Sequence, residues 1–459
     1  YSFSGFHQVT NNRIVINTQS GSQLIHRFFD TAYRLLQTYE VQAGERRQSR
    51  EKSNPYLVQS LGIGKQYFEV YAGKDSIQIF ELLPESGTDT LRQVIKYSID
   101  PDDEKFIAVM PTNEGCRFLS FAHKARKMIV YNWKVGQRGY ALKQVVLPGS
   151  SLSAAELKEY GTSFQQKYKQ IFRNLTVQQS GKGNPYQFPS RGQLFYNDQR
   201  IYILSYTPLE TGVNVLNIDL ESGTAVSDNY FCNPVDLGSM TKLLLYPVAT
   251  IFENTLVIQN SSVKKFQYLF YDLIKKEKVR TLETGTNETL YKLVHSDLKQ
   301  FGTLGSRTEE KTHENEKRFI SRKNSGTPFL TCVRSGDSLL FSFGSFIGTM
   351  GVEGVITDLF LSVIPFVPYM LMTGINDQVF RYIGIYRYKF IYAHSKFSLE
   401  TFEPTASVHV KTFLDELIND RKMKRLSADG TILISLPGSL HICIYDEKAA
   451  KFSVNKYYQ

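Results

Sequence analysis

The clearest structural pattern in the chain is QLFYNDQRIYILSYTPLETGVNVLNIDLESGTAV, residues 193–226. Its segments are rich in β-branched and aromatic residues and alternate apolar with polar side chains. Polar turns interrupt them at residues 197–200 and 221–224. Alternation with a period of two is typical of strands, and Asn, Asp, Ser and Gly favour tight turns. The stretch therefore predicts antiparallel β-strands joined by short turns.

A similar unit recurs along the chain, and each copy contains an aromatic residue or Ile followed by Asp, Glu or Asn. These marker residues are Asp30, Glu81, Asn132, Asp219, Asp272 and Asp446. Their successive spacings are 51, 51, 87, 53 and 174 residues. A period near 50 with four short strands is typical of a propeller blade. Six marked units and one more blade in the longest interval predict about seven blades, with six and eight as alternatives.

The fold class predicted is all-β: a single β-propeller domain over residues 1–459, made of four-stranded antiparallel blades. A capping-box pattern that begins at Ser153, followed by apolar residues at helical spacing, predicts a helical insertion at 152–173. The polar, mixed-charge stretch 305–324 predicts a polar loop insertion. Apolar residues at helical spacing predict a short helix at 409–425.

The composition favours β structure and gives little support for a nucleic-acid partner. The chain has 31 Phe and 28 Tyr against one Trp, and aromatic residues suit a pleated, half-buried surface. The net charge is +10, but the basic residues are spread along the chain with short clusters near residues 46–52 and 421–425. Solvated loops account for such clusters, so we do not predict nucleic-acid binding.

The cysteines and the acidic residues do not predict a metal site. Four cysteines lie far apart with no C-x-x-C pair, and each is predicted as a small apolar side chain in a strand: Cys116, Cys232, Cys332 and Cys443. One dense acidic cluster has the residue types of a calcium site: Asp100, Asp102, Asp103 and Glu104. Pro101 and the position between two strands favour a solvated turn instead. His441 lies in an alternating strand and is predicted to be structural.

No catalytic or cofactor motif occurs in the sequence. H-E-x-x-H, G-x-S-x-G and G-x-x-x-x-G-K-[ST] are all missing, and the glycines at Gly62, Gly64 and Gly181 lack the spacing of a phosphate loop. We therefore predict no catalytic residues, no metal and no cofactor, and the sequence assigns no binding residues. Catalytic groups brought together from distant blades at the channel mouth are the alternative.

One apolar run, Leu359–Met372, is the best sequence candidate for an exposed contact patch. A buried strand and loop is the competing interpretation and the one we favour. The run has 14 residues and contains Pro365 and Pro368, which makes it too short and too broken to span a bilayer as one helix.

Three blocks of strand sequence, residues 201–223, 127–132 and 254–272, resemble the TolB-like six-bladed propeller lipoproteins of the Bacteroidetes cell envelope. Asp-Ser/Thr triplets also match the O-glycosylation pattern of that phylum: Asp30-Thr-Ala, Asp75-Ser-Ile, Asp89-Thr-Leu and Asp337-Ser-Leu. The resemblance implies an exported, membrane-tethered binding or assembly subunit without assigned catalysis. The marker spacing departs from that family, because it favours more than six blades.

These observations lead to three functional hypotheses. The first is a non-catalytic binding or scaffolding propeller with protein partners in an envelope-associated complex, attached to an outer membrane through a lipid anchor. The second is a propeller enzyme that acts on glycans or peptides at the mouth of the central channel, since aromatic side chains stack on sugars. The third is a cytoplasmic interaction propeller.

Overall fold

A computed structural model describes a large part of the chain. The described residues are 7–10, 13–20, 23–30, 32–42, 56–64, 66–83, 90–148, 175–180, 192–207, 212–231, 248–261, 265–285, 288–304, 307–324, 327–347, 389–405, 415–416, 431–436, 439–446 and 451–458.

Within these ranges the strands are arranged in seven sheets, of which the first four occupy the first half of the chain. Sheet 1 contains β1 (His7–Thr10), β2 (Arg13–Ser20), β3 (Gln23–Asp30) and β4 (Leu35–Gln42). Sheet 2 contains β5 (Tyr56–Ile63), β6 (Gln66–Ala72), β7 (Ser76–Leu83) and β8 (Thr90–Ser98). Sheet 3 contains β9 (Glu104–Pro111), β10 (Gly115–Ala122), β11 (Lys127–Lys134) and β12 (Ala141–Val146). Sheet 4 contains β13 (Leu175–Gln179), β14 (Gly192–Tyr196), β15 (Arg200–Thr207), β16 (Gly212–Asp219) and β17 (Thr224–Phe231).

The second half of the chain supplies three further sheets. Sheet 5 contains β18 (Val248–Phe252), β19 (Thr255–Ser261), β20 (Phe266–Asp272) and β21 (Glu277–Thr284). Sheet 6 contains β22 (Lys299–Leu304), β23 (Arg307–Thr312), β24 (Thr327–Ser335), β25 (Ser338–Ile347) and β26 (Lys389–Ser398). Sheet 7 contains β27 (Thr431–Leu436), β28 (Ser439–Asp446) and β29 (Lys451–Tyr458). A 3₁₀ turn (Leu290–Lys292) and the helix α1 (Glu316–Asn324) lie between β21 and β24.

Neighbouring sheets pack face to face through apolar side chains, because the strands bury residues on both sides. The cluster between sheets 4 and 5 includes Leu204, Val213 and Leu256, all buried. Edge strands of neighbouring sheets also contact each other: β1 packs against both β5 and β27, and β18 packs against β24. Contact between the first and the last sheet closes the series into a ring. The fold is an all-β propeller, as predicted, and its seven described sheets match the predicted number of blades.

Three of the six marker residues have the same physical role in a turn. The Oδ1 atom of Asp219 accepts the backbone N–H groups of Glu221 and Ser222 at 2.9 and 2.8 Å, in the turn between β16 and β17. Asp272 holds the equivalent turn between β20 and β21, and Asp30 the one between β3 and β4. Backbone hydrogen bonds from the turn are the largest cause of the lowered pKa of Asp219. An Asp that accepts backbone N–H groups two to four residues ahead fixes a tight turn, as these three do. The markers Glu81 and Asn132 instead lie within β7 and β11.

Replacing one marker residue tests this role. In Asp272→Ala the N–H groups of Ile274 and Lys275 lose an acceptor at 2.8 and 2.9 Å, and we expect a loss of about 1–2 kcal/mol in the free energy of unfolding. Asp272→Asn keeps the acceptor oxygen and should lose less than half as much. Urea denaturation of both variants checks this. Equal destabilisation by Ala and Asn would contradict the turn role.

The ring closes at a contact between the β3–β4 turn of sheet 1 and sheet 7. The hydroxyl of Tyr33 and Nδ1 of buried His441 are hydrogen-bonded across 2.7 Å, although the two residues are 408 positions apart. Lys456 lies over the Tyr33 ring at 5.2 Å from its centroid. Ile14 and Ile16 of β2 pack against Cys443 of β28 below this contact. The predicted structural role of His441 agrees with this position.

Burial, with a smaller contribution from Lys456, lowers the pKa of His441 to about 4 from its ordinary 6.5. The folded protein thus excludes a proton that the unfolded chain binds below pH 6.5. Stability should therefore fall as the pH drops from about 6.5 to about 4, by up to about 3 kcal/mol from this residue, and level off below. Unfolding curves between pH 4 and 7.5 should show a shallower pH dependence for His441→Gln than for wild type. Identical slopes would exclude a contribution from His441.

Sheet 6 departs from the predicted organisation. The stretch 305–324, predicted as a polar loop, contains β23 and α1. Its polarity is misleading, because α1 has charged residues on its outer side and buries Phe319, Ile320 and Lys323 on the other. The Asn315 side chain accepts the N–H of Arg318 at 3.0 Å and caps the helix. The hairpin β22–β23 pairs with β26 on the side opposite β25, although it precedes β24 in the chain.

The other predicted insertions lie wholly or mainly outside the described residues. The helical insertion at 152–173 falls there entirely. Of the short helix at 409–425, Asp415 and Glu416 are described, and both are helical.

Candidate functional site

The face of sheet 6 that points away from sheet 5 carries an unusual row of polar side chains. Cross-strand pairing places Thr331 of β24 opposite Ser342 of β25, and Ser342 opposite His394 of β26. Tyr392 lies two residues from His394 on the same face, opposite Lys299 of β22. Blade faces are normally apolar because they pack against a neighbouring sheet. This row is therefore the strongest local departure from the blade pattern.

Four of these residues form a connected network with Asp415. The Ser342 hydroxyl and His394 Nδ1 are 2.9 Å apart, and His394 Nε2 is 3.4 Å from Asp415 Oδ2. Asp415 Oδ1 accepts hydrogen bonds from Lys299 Nζ at 2.8 Å and from the Tyr392 hydroxyl at 3.0 Å. We name these five residues, Ser342, His394, Asp415, Lys299 and Tyr392, the sheet 6 polar cluster. Its serine–imidazole–carboxylate order is that of a hydrolytic triad.

Burial determines what this arrangement can do. His394 is 1% exposed, and Ser342 and Asp415 are also buried, so in the described part of the chain the Ser342 hydroxyl is enclosed by protein and not presented to a substrate. Both oxygens of Asp415 are occupied within the cluster. The lysine and the carboxylate compensate each other's charge, and the bonds tie β22, β25 and β26 to the helical residue Asp415. The cluster is suited to fixing the packing of sheet 6 and not to acyl transfer.

Variants distinguish the two roles. Removing the carboxylate in Asp415→Ala leaves Lys299 and His394 without their partner, and we expect a loss of about 2–4 kcal/mol in unfolding free energy. Ser342→Ala should lose about 1 kcal/mol. Wild-type protein should not react with a fluorophosphonate probe. Covalent labelling of Ser342, detected by peptide mass spectrometry, would contradict the structural role.

The predicted acidic cluster lies in the turn between β8 and β9, where its carboxylates bind backbone and side-chain donors. Asp100 Oδ1 accepts the N–H of Asp102 at 2.9 Å, and Glu104 accepts the hydroxyl of Tyr131 at 2.7 Å. Burial raises the pKa of Glu104. Asp103 Oδ1 accepts the N–H of Lys124. In the described part of the chain, no three His, Cys, Asp or Glu residues are arranged to hold a metal ion.

Other sequence candidates are placed as follows. Cys116, Cys332 and Cys443 are buried in strands with free thiols, as predicted, and Cys232 lies outside the described residues. Gly64 has a φ of +59° in the turn between β5 and β6, which fits a blade turn. The run Leu359–Met372 lies outside the described residues. Among the residues that can be described, no helix is long and apolar enough to cross a bilayer.

Sequence analysis missed a set of exposed apolar side chains on the outer strands of three consecutive sheets. They are Leu142 and Val146 of β12, Val226 of β17, Ile274 of the β20–β21 turn and Val279 of β21, each between 38% and 63% exposed. We name these five residues the apolar band. Their outward direction depends on strand register, which a strand prediction with uncertain ends does not fix.

Polar contacts link the outer strands of these three sheets, although strand pairing turns Leu142 and Val146 to the face of β12 opposite Lys143. Lys143 of β12 donates to the carbonyl groups of Leu220 and Glu221 in the neighbouring sheet. Lys276 of sheet 5 pairs with Asp228 of β17 at 3.1 Å. The three outer strands are thus held side by side. In the described residues, β12, β17 and β21 are also the last strands of their sheets, so one backbone edge of each is open.

No family model and no curated protein matches the chain. Solved structures with weak similarity include the Dos1 propeller, which matches 100% of this chain and 93% of its own at 8% identity and a TM-score of 0.35. AztD of Citrobacter koseri matches at 10% identity and a TM-score of 0.26. The match covers 62% of this chain and 63% of AztD. The periplasmic gluconolactonase of Pseudomonas aeruginosa matches at 10% identity and a TM-score of 0.30. The match covers 60% of this chain and 68% of the gluconolactonase. Similarities of this size transfer no function to this chain.

Proposed function

We propose that this propeller is a non-catalytic binding or scaffolding subunit that docks a protein partner on the apolar band. The observation that carries the proposal is the exposure of five aliphatic side chains on adjoining outer strands. Aliphatic groups grouped on a surface favour association, because contact with a partner removes them from water at about 25 cal/mol per Å². The open edges of the same strands can add a strand from the partner.

The buried state of the sheet 6 polar cluster supports a non-catalytic role. Its serine and histidine have the residue types of a hydrolytic site, yet they lie inside the packed blades and bond to one another. The glycan- or peptide-active enzyme therefore receives no specific support from this cluster.

The setting of the complex is also part of the proposal. We propose that the partner belongs to an envelope-associated complex and that a lipid anchor holds the subunit at an outer membrane. The support is the resemblance of residues 127–132, 201–223 and 254–272 to envelope lipoproteins. A cytoplasmic interaction propeller is the alternative setting, and it would use the same apolar band.

A charge introduced into the apolar band tests the docking proposal. The test compares three full-length proteins, each isolated gently from native membranes and from the soluble fraction. They are wild type, the double variant Leu142→Asp/Val146→Asp and the control Thr38→Asp. Thr38 is exposed on β4, outside the band. We expect cross-linked partner peptides at β12 or β17 in wild type and control, and at least a tenfold loss in the double variant, since burying an unpaired carboxylate opposes binding.

Thermal unfolding of the isolated variants controls for folding, because all three changes are on exposed positions and should leave the midpoint within about 2 °C. Equal partner recovery in all three proteins would exclude the apolar band as the docking surface. If the partner is recovered only from the soluble fraction, the envelope setting is excluded, but the apolar band remains the proposed docking surface.

A further inference from the structure

A buried lysine lies between sheets 5 and 6, where α1 covers the end of their cleft. Lys323 is in the last turn of α1 and is 3% exposed. Phe319 and Ile320 of the same helix pack into the apolar core that these two sheets share. The Lys323 ammonium donates one hydrogen bond, to the Ser261 hydroxyl at 2.9 Å.

Among the described residues, the neighbours of Lys323 carry no compensating negative charge. Ser261 uses its hydroxyl hydrogen to bond Asn324 Oδ1 at 2.9 Å, and Asn324 Nδ2 donates back to the Ser261 carbonyl at 3.0 Å. Neither residue is anionic. The carbonyl end of α1 offsets only a fraction of one charge. Burial accordingly lowers the pKa of Lys323 to about 7.

Two more polar side chains on the cleft walls are buried without a hydrogen-bond partner. The Gln259 amide, 1% exposed, has neither its Nε2 nor its Oε1 bonded, and the hydroxyl of Ser345, 0% exposed, is also unbonded. Polar groups buried in this way destabilise the folded protein unless a bound species satisfies them.

Strand register places these groups together. Gln259 and Ser261 are two residues apart on β19 and share a face. Ser261 pairs with Phe266, whose ring centroid is 5.1 Å from that of Phe343. Ser345 follows Phe343 by two residues on β25, so it lies on the same wall, towards the end of the strand. The Lys323 ammonium, the Gln259 amide and the Ser345 hydroxyl therefore lie on the facing surfaces of sheets 5 and 6, near the ends of β19 and β25.

We propose that Lys323, Gln259 and Ser345 hold a small monovalent anion, a halide or a small carboxylate, buried between sheets 5 and 6. An ammonium, an amide N–H₂ and a hydroxyl are all donors, and an anion accepts from all three. The bound charge compensates Lys323 and joins α1 to both sheets. This site is independent of the apolar band and of the sheet 6 polar cluster.

The test is thermal and chemical unfolding of the full chain at constant ionic strength, with sodium chloride, sodium formate or sodium gluconate. Once the anion concentration exceeds its Kd for the wild-type protein, each further tenfold rise in that concentration should raise the folding equilibrium constant up to tenfold. Chloride dependence without formate dependence identifies a halide site, and the reverse identifies a carboxylate site. Gluconate is too large for the enclosed site and reports the general effect of salt.

Two lysine variants of α1 separate the site from surface effects. Lys323→Met keeps the length of the side chain and removes the charge, so it should unfold with no dependence on chloride or formate beyond that in gluconate. Lys317→Met, at an exposed position of the same helix, should retain the full wild-type dependence. Bromide soaked into crystals should give an anomalous peak beside Lys323 in wild type if the site takes a halide.

Wild-type stability that is equal in all three salts would overturn the proposal, because water would then satisfy Gln259 and Ser345. An anion dependence that persists in Lys323→Met would also overturn it, since the anion would then bind elsewhere.

Discussion

Apolar residues cover both faces of most sheets in this chain, and such a sheet is stable only when a neighbour packs on each side. This constraint accounts for the ring. The cluster of Leu204, Val213 and Leu256 joins sheets 4 and 5, and similar clusters among the described residues join sheets 1 to 6 in sequence and sheet 1 to sheet 7. A linear stack would leave one apolar face of the first sheet and one of the last in water. The contact of Tyr33 and Ile14 with sheet 7 covers the first of these.

Sheet 6 follows the constraint by different means. One face packs on sheet 5 through aromatic side chains, with Tyr268, Phe341 and Phe397 in mutual contact. The other face carries the sheet 6 polar cluster, in which Asp415 gathers Lys299, His394 and Tyr392. Bonds of this kind are directional, whereas apolar packing is not. Sheet 6 can therefore hold one defined position although its hairpin β22–β23 comes from an earlier part of the chain.

Features that recur from blade to blade could be predicted from the sequence, whereas features that occur once in the fold could not. Asp219 and Asp272 accept backbone bonds in equivalent turns of adjacent sheets, and the spacing of the marker residues indicated the blades. In the last sheet the marker Asp446 ends the second of the three described strands, so the repeat did not fix its position there. Helix α1 escaped prediction because its nine residues include two apolar ones, Phe319 and Ile320. The link between Ser342 and His394 joins positions 52 residues apart through strand register, which has no motif. Polar residues at alternate positions 392, 394 and 396 of a buried strand were the available signal.

The ring contact also concerns how the protein is made. Tyr33 and His441 are 408 residues apart. At a synthesis rate of 5–20 residues per second, roughly 20–80 s pass between the emergence of one and the other from the ribosome. Throughout that interval Ile14 and Ile16 have no sheet 7 to pack against, however well the intervening blades have folded. The growing chain thus presents one apolar blade face to its surroundings until sheet 7 has been synthesised, and a chaperone that shields this face has a defined window in which to act.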